Sequence, residues 1–112
     1  MNGRFYDVTG GRWEDIGGGR KRKIIHMGNM TVMALRAPKG TVTDAKHKHP
    51  NEQAAVVFSG RVRMFLGAES RVIGAGEGYL VPPDVEHHIE ALEDTVLIDY
   101  FTPKRSDLTA TE

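Results

Sequence analysis

The run His47-Lys-His49-Pro-Asn-Glu-Gln53, answered downstream by Pro82-Pro-Asp-Val-Glu-His87, carries the residue types of a nitrogen-and-oxygen metal site in two instalments. Neutral imidazole is the commonest metal ligand, and three histidines with one oxygen donor leave coordination positions open for water or substrate. His47 and His49 are two apart, so in an extended chain both rings turn to the same side. Pro50-Asn51 lets the chain turn before Gln53 re-enters on the next strand. Only one of the neighbours Glu52 and Gln53 can face inward there, and the spacing to Gly60 favours Gln53. Taken alone, His47 and His49 read equally well as solvated histidines flanked by Lys46 and Lys48; His87, arriving from a distant strand, favours ligation. Strand alternation turns His88 outward if His87 points in, and His26 reads as structural. With no cysteine, the chain offers neither thiolate ligation nor a disulfide. The expected cofactor is one divalent transition metal ion: nickel, manganese, iron or zinc.

Such ligands need a rigid frame, and the sequence supplies short strands. Thirteen glycines and five prolines punctuate it at intervals of about 8–12 residues, and no long stretch keeps a helical apolar stripe. The expected class is all-β. Candidate strands are 22–26, 31–37, 53–58, 62–66, 71–73, 78–81, 87–91 and 96–101, each rich in β-branched, aromatic or alternating residues. Ser59-Gly60 and Gly67-Ala-Glu-Ser70 read as hairpin turns, Gly74–Gly78 as a glycine-rich bend and Pro82-Pro-Asp84 as a tight reversal. Asp99 and Phe101, two apart on the last strand, can both face the interior, and Arg105 follows just past Pro103. On residue type alone, Asp99 reads as a hydrogen-bonded strand residue, Phe101 as core and Arg105 as a solvated tail charge.

One domain spanning residues 1–112 is expected, with the metal-binding core at about 31–102 and an N-terminal arm. Fifteen acidic and fifteen basic residues cancel, which removes the electrostatic argument for nucleic acid or an anionic membrane as partner. The N-terminus lacks an apolar segment, and no apolar run approaches the roughly 18 residues needed to span a bilayer, so a soluble cytoplasmic protein is expected. The Arg20-Lys-Arg-Lys23 run alternates across both faces of a strand and reads as a solvated edge. Met27, Met30 and Met33 are assigned to core or subunit contact. Trp13 is expected to pack the arm onto a neighbouring subunit, and the last residues of the polar tail after Thr102 are expected to be mobile.

Gly40, His47-x-His49, Gln53 and Gly60 resemble the first motif of the cupin family, and Gly76, Pro82, Asp84 and His87 resemble the second. The resemblance implies a double-stranded β-helix, or jelly-roll barrel. Asp84 stands where that family usually has glycine, Gln53 where most members have a glutamate ligand, and Ala91 where the second motif often ends in asparagine. The glutamine is similar to that of single-domain cupins associated with pectin degradation, which use its amide oxygen as a ligand. Similarity extends through Ser59-Gly-Arg-Val-Arg63, Gly78-Tyr-Leu-Val-Pro-Pro83, Glu90-Ala-Leu-Glu-Asp94 and Asp99-Tyr-Phe-Thr-Pro-Lys-Arg105.

The resemblance implies an enzyme that linearises 4,5-unsaturated uronates released by pectate or alginate lyases. It implies metal ligands His47, His49, Gln53 and His87, a catalytic Asp99 that shuttles a proton, an Arg105 that forks onto the substrate carboxylate, and a Phe101 that stacks on the sugar. Pairing of small cupins through their outer sheets further implies a homodimer. Two other readings fit the same barrel: a metal-dependent dioxygenase or other isomerase, and a noncatalytic sugar- or metabolite-binding module.

Overall fold

Among the described residues, alternating side chains build nine strands in two antiparallel sheets, as the all-β expectation requires. The computed structural model describes residues 3–111. The strands are β1 Glu14–Gly17, β2 Arg20–His26, β3 Thr31–Ala37, β4 Glu52–Ser59, β5 Arg61–Leu66, β6 Glu69–Gly74, β7 Gly78–Val81, β8 His87–Ala91 and β9 Thr95–Thr102. Six form one sheet in the order β1-β2-β3-β9-β4-β7, and three form the other, β6-β5-β8. Among the described residues there is no helix long and apolar enough to cross a membrane.

The period-two pattern sorts each strand between two apolar layers. Leu35, Val57, Val62, Met64, Ile89 and Leu97 form the core enclosed by the sheets. Ile25, Val32, Ala34 and Ile98 form a second layer on the outer face of the six-stranded sheet, covered by Val8 and Trp13 from the arm. Two glycines are dictated by close approach. A side chain on Gly78 would place its first carbon 2.0 Å from the Ala55 carbonyl oxygen, and one on Gly60, at φ 92°, would meet the Asp94 carbonyl oxygen at 2.4 Å.

Register carries the inward side chains into rows. Val81, Gln53, Phe101, Thr31 and His26 lie in one row across β7, β4, β9, β3 and β2. Tyr79, Ala55, Asp99, Met33 and Ile24 form the next, and Leu97, Leu35 and Arg22 continue into a third.

Four expectations are corrected. β1 was absent from the candidate strands because Glu-Asp-Ile-Gly holds one apolar residue; pairing with β2 and the packing of Ile16 on the core define it. Lys23 does not belong to a solvated edge: it is fully buried on the same face as Ile25, and its ammonium donates to the carbonyl oxygens of Asp7 and Gly10. Trp13 packs on this chain's own outer layer, beneath the Lys23 ammonium at 5.7 Å and the Arg36 guanidinium at 4.7 Å. The tail is tied down at Thr111, whose N donates to Ile24 O at 2.9 Å and whose Oγ1 accepts from Ile24 N at 3.0 Å. It occupies the stretch of the β2 edge that β1 leaves unpaired.

Candidate metal centre

His47 and His49 lie on an extended segment before β4, outside the named strands. Backbone bonds tie it down: His87 N donates to His47 O at 3.0 Å and Asp84 N to His49 O at 2.8 Å. Asp84, where glycine was the family pattern, makes this connection at φ 61°, a left-handed conformation that Asp tolerates better than most side chains. The three rings meet edge to face with centroids 4.8–5.2 Å apart. One ring nitrogen from each of His47, His49 and His87 lies within 4.8 Å of the others, a cluster that could hold a metal ion.

The hydrogen bonds behind the rings set their tautomers. His49 Nδ1 lies 3.0 Å from Asn51 O and His87 Nδ1 2.8 Å from Val85 O. Carbonyls only accept, so in the neutral rings Nδ1 carries the proton and Nε2 presents its lone pair. His49 Nε2 nevertheless faces Gln53 Oε1 at 2.9 Å. The Gln53 amide is oriented by its other end, where Nε2 donates to Asp99 Oδ1 at 2.7 Å. Two acceptors thus converge at the separation expected of adjacent ligands with bonds of about 2.1 Å at right angles. A cation satisfies both, so the donor set fits a divalent metal of nitrogen and oxygen preference. Glu52 is exposed and Gln53 buried, which resolves the choice between these neighbours.

His47, Gln53, His87, Asp99, Phe101 and Arg105 line one cavity of about 260 Å³, and His49 adjoins it through the ring cluster and Phe101 at 5.3 Å. Burial lowers His47 to about 4, helped by the neighbouring His87, His49 and Arg105. His87 is lowered by burial too, against its bond to the Val85 carbonyl. Both rings therefore resist protonation and stay available as ligands. Asp99, 2% exposed, is pushed up by burial to about 7, a rise moderated by the Gln53 hydrogen bond and Arg105.

Arg105 is buried over the Phe101 ring at 4.9 Å, and Thr31 Oγ1 accepts from its backbone N at 2.9 Å. One edge of its fork is occupied: Nε and Nη2 donate to the two Asp107 oxygens at 2.9 and 2.7 Å. The Nη1 and remaining Nη2 protons form a second edge. Asp107, Asn51 and Thr31 were not singled out from the sequence; their roles are to hold Arg105 and His49, which no spacing pattern signals. Met33 also lines the cavity, as does His88, whose ring stacks on Phe65 at 4.2 Å. His26 is structural, bridging Thr31 Oγ1 and Leu108 O at 2.8 Å each.

Residues 33–100 match the cupin domain family. The chain is 35% identical over 98 residues to pectin degradation protein KdgF of Dickeya dadantii, covering 85% of this chain and 88% of that protein. Its structure is similar to that of KdgF from Halomonas sp., with a TM-score of 0.89, 29% identity, and coverage of 96% of this chain and 100% of the other. An RmlC-like cupin from Shewanella frigidimarina matches at a TM-score of 0.87 and 28% identity, covering 96% of this chain and 97% of that one.

Proposed function

This chain belongs to the cupin domain family, and from that premise we propose that it is a metal-dependent enzyme converting 4,5-unsaturated uronates to linear keto acids. The observation that carries the reading is the convergence of three imidazoles, an amide oxygen, a buried carboxyl and a guanidinium on one small cavity. Kinship with a pectin degradation protein supports the uronate class. At about 260 Å³, the cavity lies at the low end of small-molecule sites, which supports a monosaccharide in place of a polymer.

In a 4,5-unsaturated uronate the ring oxygen bonds both the anomeric carbon and an enol carbon. Loss of the anomeric hydroxyl proton makes the C1 carbonyl as the C1–O5 bond breaks, leaving an enolate on O5. Return of a proton to C4 gives the keto acid, an isomer of the starting sugar, with no redox change. Asp99 is assigned both transfers: its carboxylate takes the hydroxyl proton and its carboxylic acid returns it to C4. A carboxyl lifted to about 7 populates both forms near neutrality, as that double role demands. Arg105 binds the substrate carboxylate with its second edge while Asp107 holds the first. Phe101 forms the flat wall against the sugar.

A bound metal ion, held by His47, His49, Gln53 and His87, would supply Lewis-acid stabilisation of developing oxygen charge. Because all four donors are neutral, its two positive charges remain uncancelled by the protein, which suits an anionic substrate. Two copies are proposed to pair across the outer face of the six-stranded sheet, where Leu80, Ala54 and Tyr100 share a row and Leu80 is 74% exposed; sedimentation at micromolar concentration checks this. Replacing Asp99 with Ala should abolish turnover of unsaturated galacturonate with metal content intact. Undiminished turnover in that variant would remove Asp99 from the chemistry. Oxygen consumption by the iron-loaded protein without ring opening would replace this reading by the dioxygenase one.

A further inference from the structure

The cavity extends beyond the groups used so far, to Arg22 on β2. Arg22 faces the interior in register with Leu35, one row, or about 7 Å, further along the sheet than Asp99. Its Nη2 donates to Glu14 Oε1 at 3.0 Å. Its Nε is different: it is buried and has no hydrogen-bond partner among the described residues, alone among their buried side-chain nitrogens and oxygens. Leaving such a donor unmet costs on the order of 1–3 kcal/mol, more for a charged group, and buried polar atoms are almost always paired. A guanidinium only donates, so the missing partner is an acceptor.

The charge balance narrows what that acceptor is. Glu14 already offsets the Arg22 charge through its ion pair, so the open N–H does not call for a second carboxylate. It suits a neutral oxygen.

We propose that Arg22 is a second substrate-binding residue, whose Nε–H holds a hydroxyl or aldehyde oxygen of the sugar acid while the carboxylate end lies at Arg105. This rests on the function proposed above. It adds an orientation: the acid group lies toward the histidines and the hydroxyl-bearing carbons toward β2. It also sets a selectivity, because a short keto acid that lacks hydroxyl groups cannot reach Arg22.

The test uses the metal-loaded full chain and galacturonate, a saturated uronate that cannot form the enolate. The arginine Nε–H signals are followed by nitrogen-15 NMR, with that of Arg22 assigned from its loss in Arg22→Lys. Galacturonate should shift the Arg22 and Arg105 signals together, and Arg22→Lys should raise KM for the unsaturated uronate about tenfold with kcat within twofold. An Arg22 signal that stays still while that of Arg105 moves would overturn the proposal and leave the uronate reading standing. An unchanged KM in a folded Arg22→Lys protein would overturn it as well. Absence of turnover in the wild type, with both signals responding to galacturonate, would sink the reaction and retain the binding contact.

Discussion

Replacing Asp99 with Asn should change how the stability of the metal-free protein depends on pH. Burial lifts the Asp99 carboxyl from 3.8 to about 7, against the opposing influence of the Gln53 N–H and Arg105. A folded value above the unfolded one means that the folded chain keeps a proton the unfolded chain has released. This contribution is therefore fully present below about pH 4 and is lost as pH rises to about 7. Three units at 1.36 kcal/mol each amount to about 4 kcal/mol. His47 and His87 act in the opposite sense, because their lowered values make the unfolded chain the better proton binder below its ordinary histidine range. Their contribution grows with pH over the same interval, so the wild-type profile is flattened by cancellation. Asn can still accept from the Gln53 amide but holds no proton, so Asp99→Asn leaves only the rising part. Urea denaturation of chelator-treated wild type and variant at pH 4, 5, 6 and 7 spans most of this range and should show their stability difference moving by about 3 kcal/mol in favour of Asn. Parallel profiles would mean that the Asp99 carboxyl ionises freely inside the barrel and holds no proton near neutrality.

Gln53→Glu would set two carboxylates at the 2.7 Å now spanned by the amide; at an effective dielectric of about 20 their repulsion is about 6 kcal/mol, or four to five pK units, so one proton becomes shared. Turnover should fall by about a hundredfold or more while metal analysis shows the ion retained. Gly78→Ala forces a carbon to within 2.0 Å of the Ala55 carbonyl oxygen, which should cost about 3 kcal/mol or more, read from the denaturant midpoint. Lys23→Met keeps the apolar stem near Trp13 but removes the donor to Asp7 and Gly10. Amide exchange across residues 7–13 should accelerate, stability should drop by about 1–3 kcal/mol, and turnover should be unchanged.

Much of this was legible because strand alternation is a strict code. Gln53, Asp99 and Phe101 sit at positions where period two points inward, and the structure brings all three to the cavity with His47, His87 and Arg105. Eight strands carried enough β-branched or alternating residues to be recognised, and β1 did not, since its stability comes from a partner rather than from its own composition. Lys23 shows the limit of reading charge as a run. Neighbouring residues on β2 face opposite ways, and the acceptors for its ammonium lie 16 and 13 residues earlier, on the arm. Asp107 and Thr31 escaped for a similar reason: each acts on Arg105 through a contact that only the folded tail creates. The paired acceptors His49 Nε2 and Gln53 Oε1 needed atoms, because the orientation of an amide is set by its far end at Asp99.

The histidine cluster and Asp99 are proposed to open an unsaturated uronate ring. The most direct test follows the conjugated ultraviolet absorbance of 4,5-unsaturated galacturonate in the presence of metal-loaded protein, against the spontaneous rate and a chelated control. The expected result is a faster loss of absorbance that chelation abolishes and metal restores. Decay at the spontaneous rate, with metal shown to be bound, would contradict it.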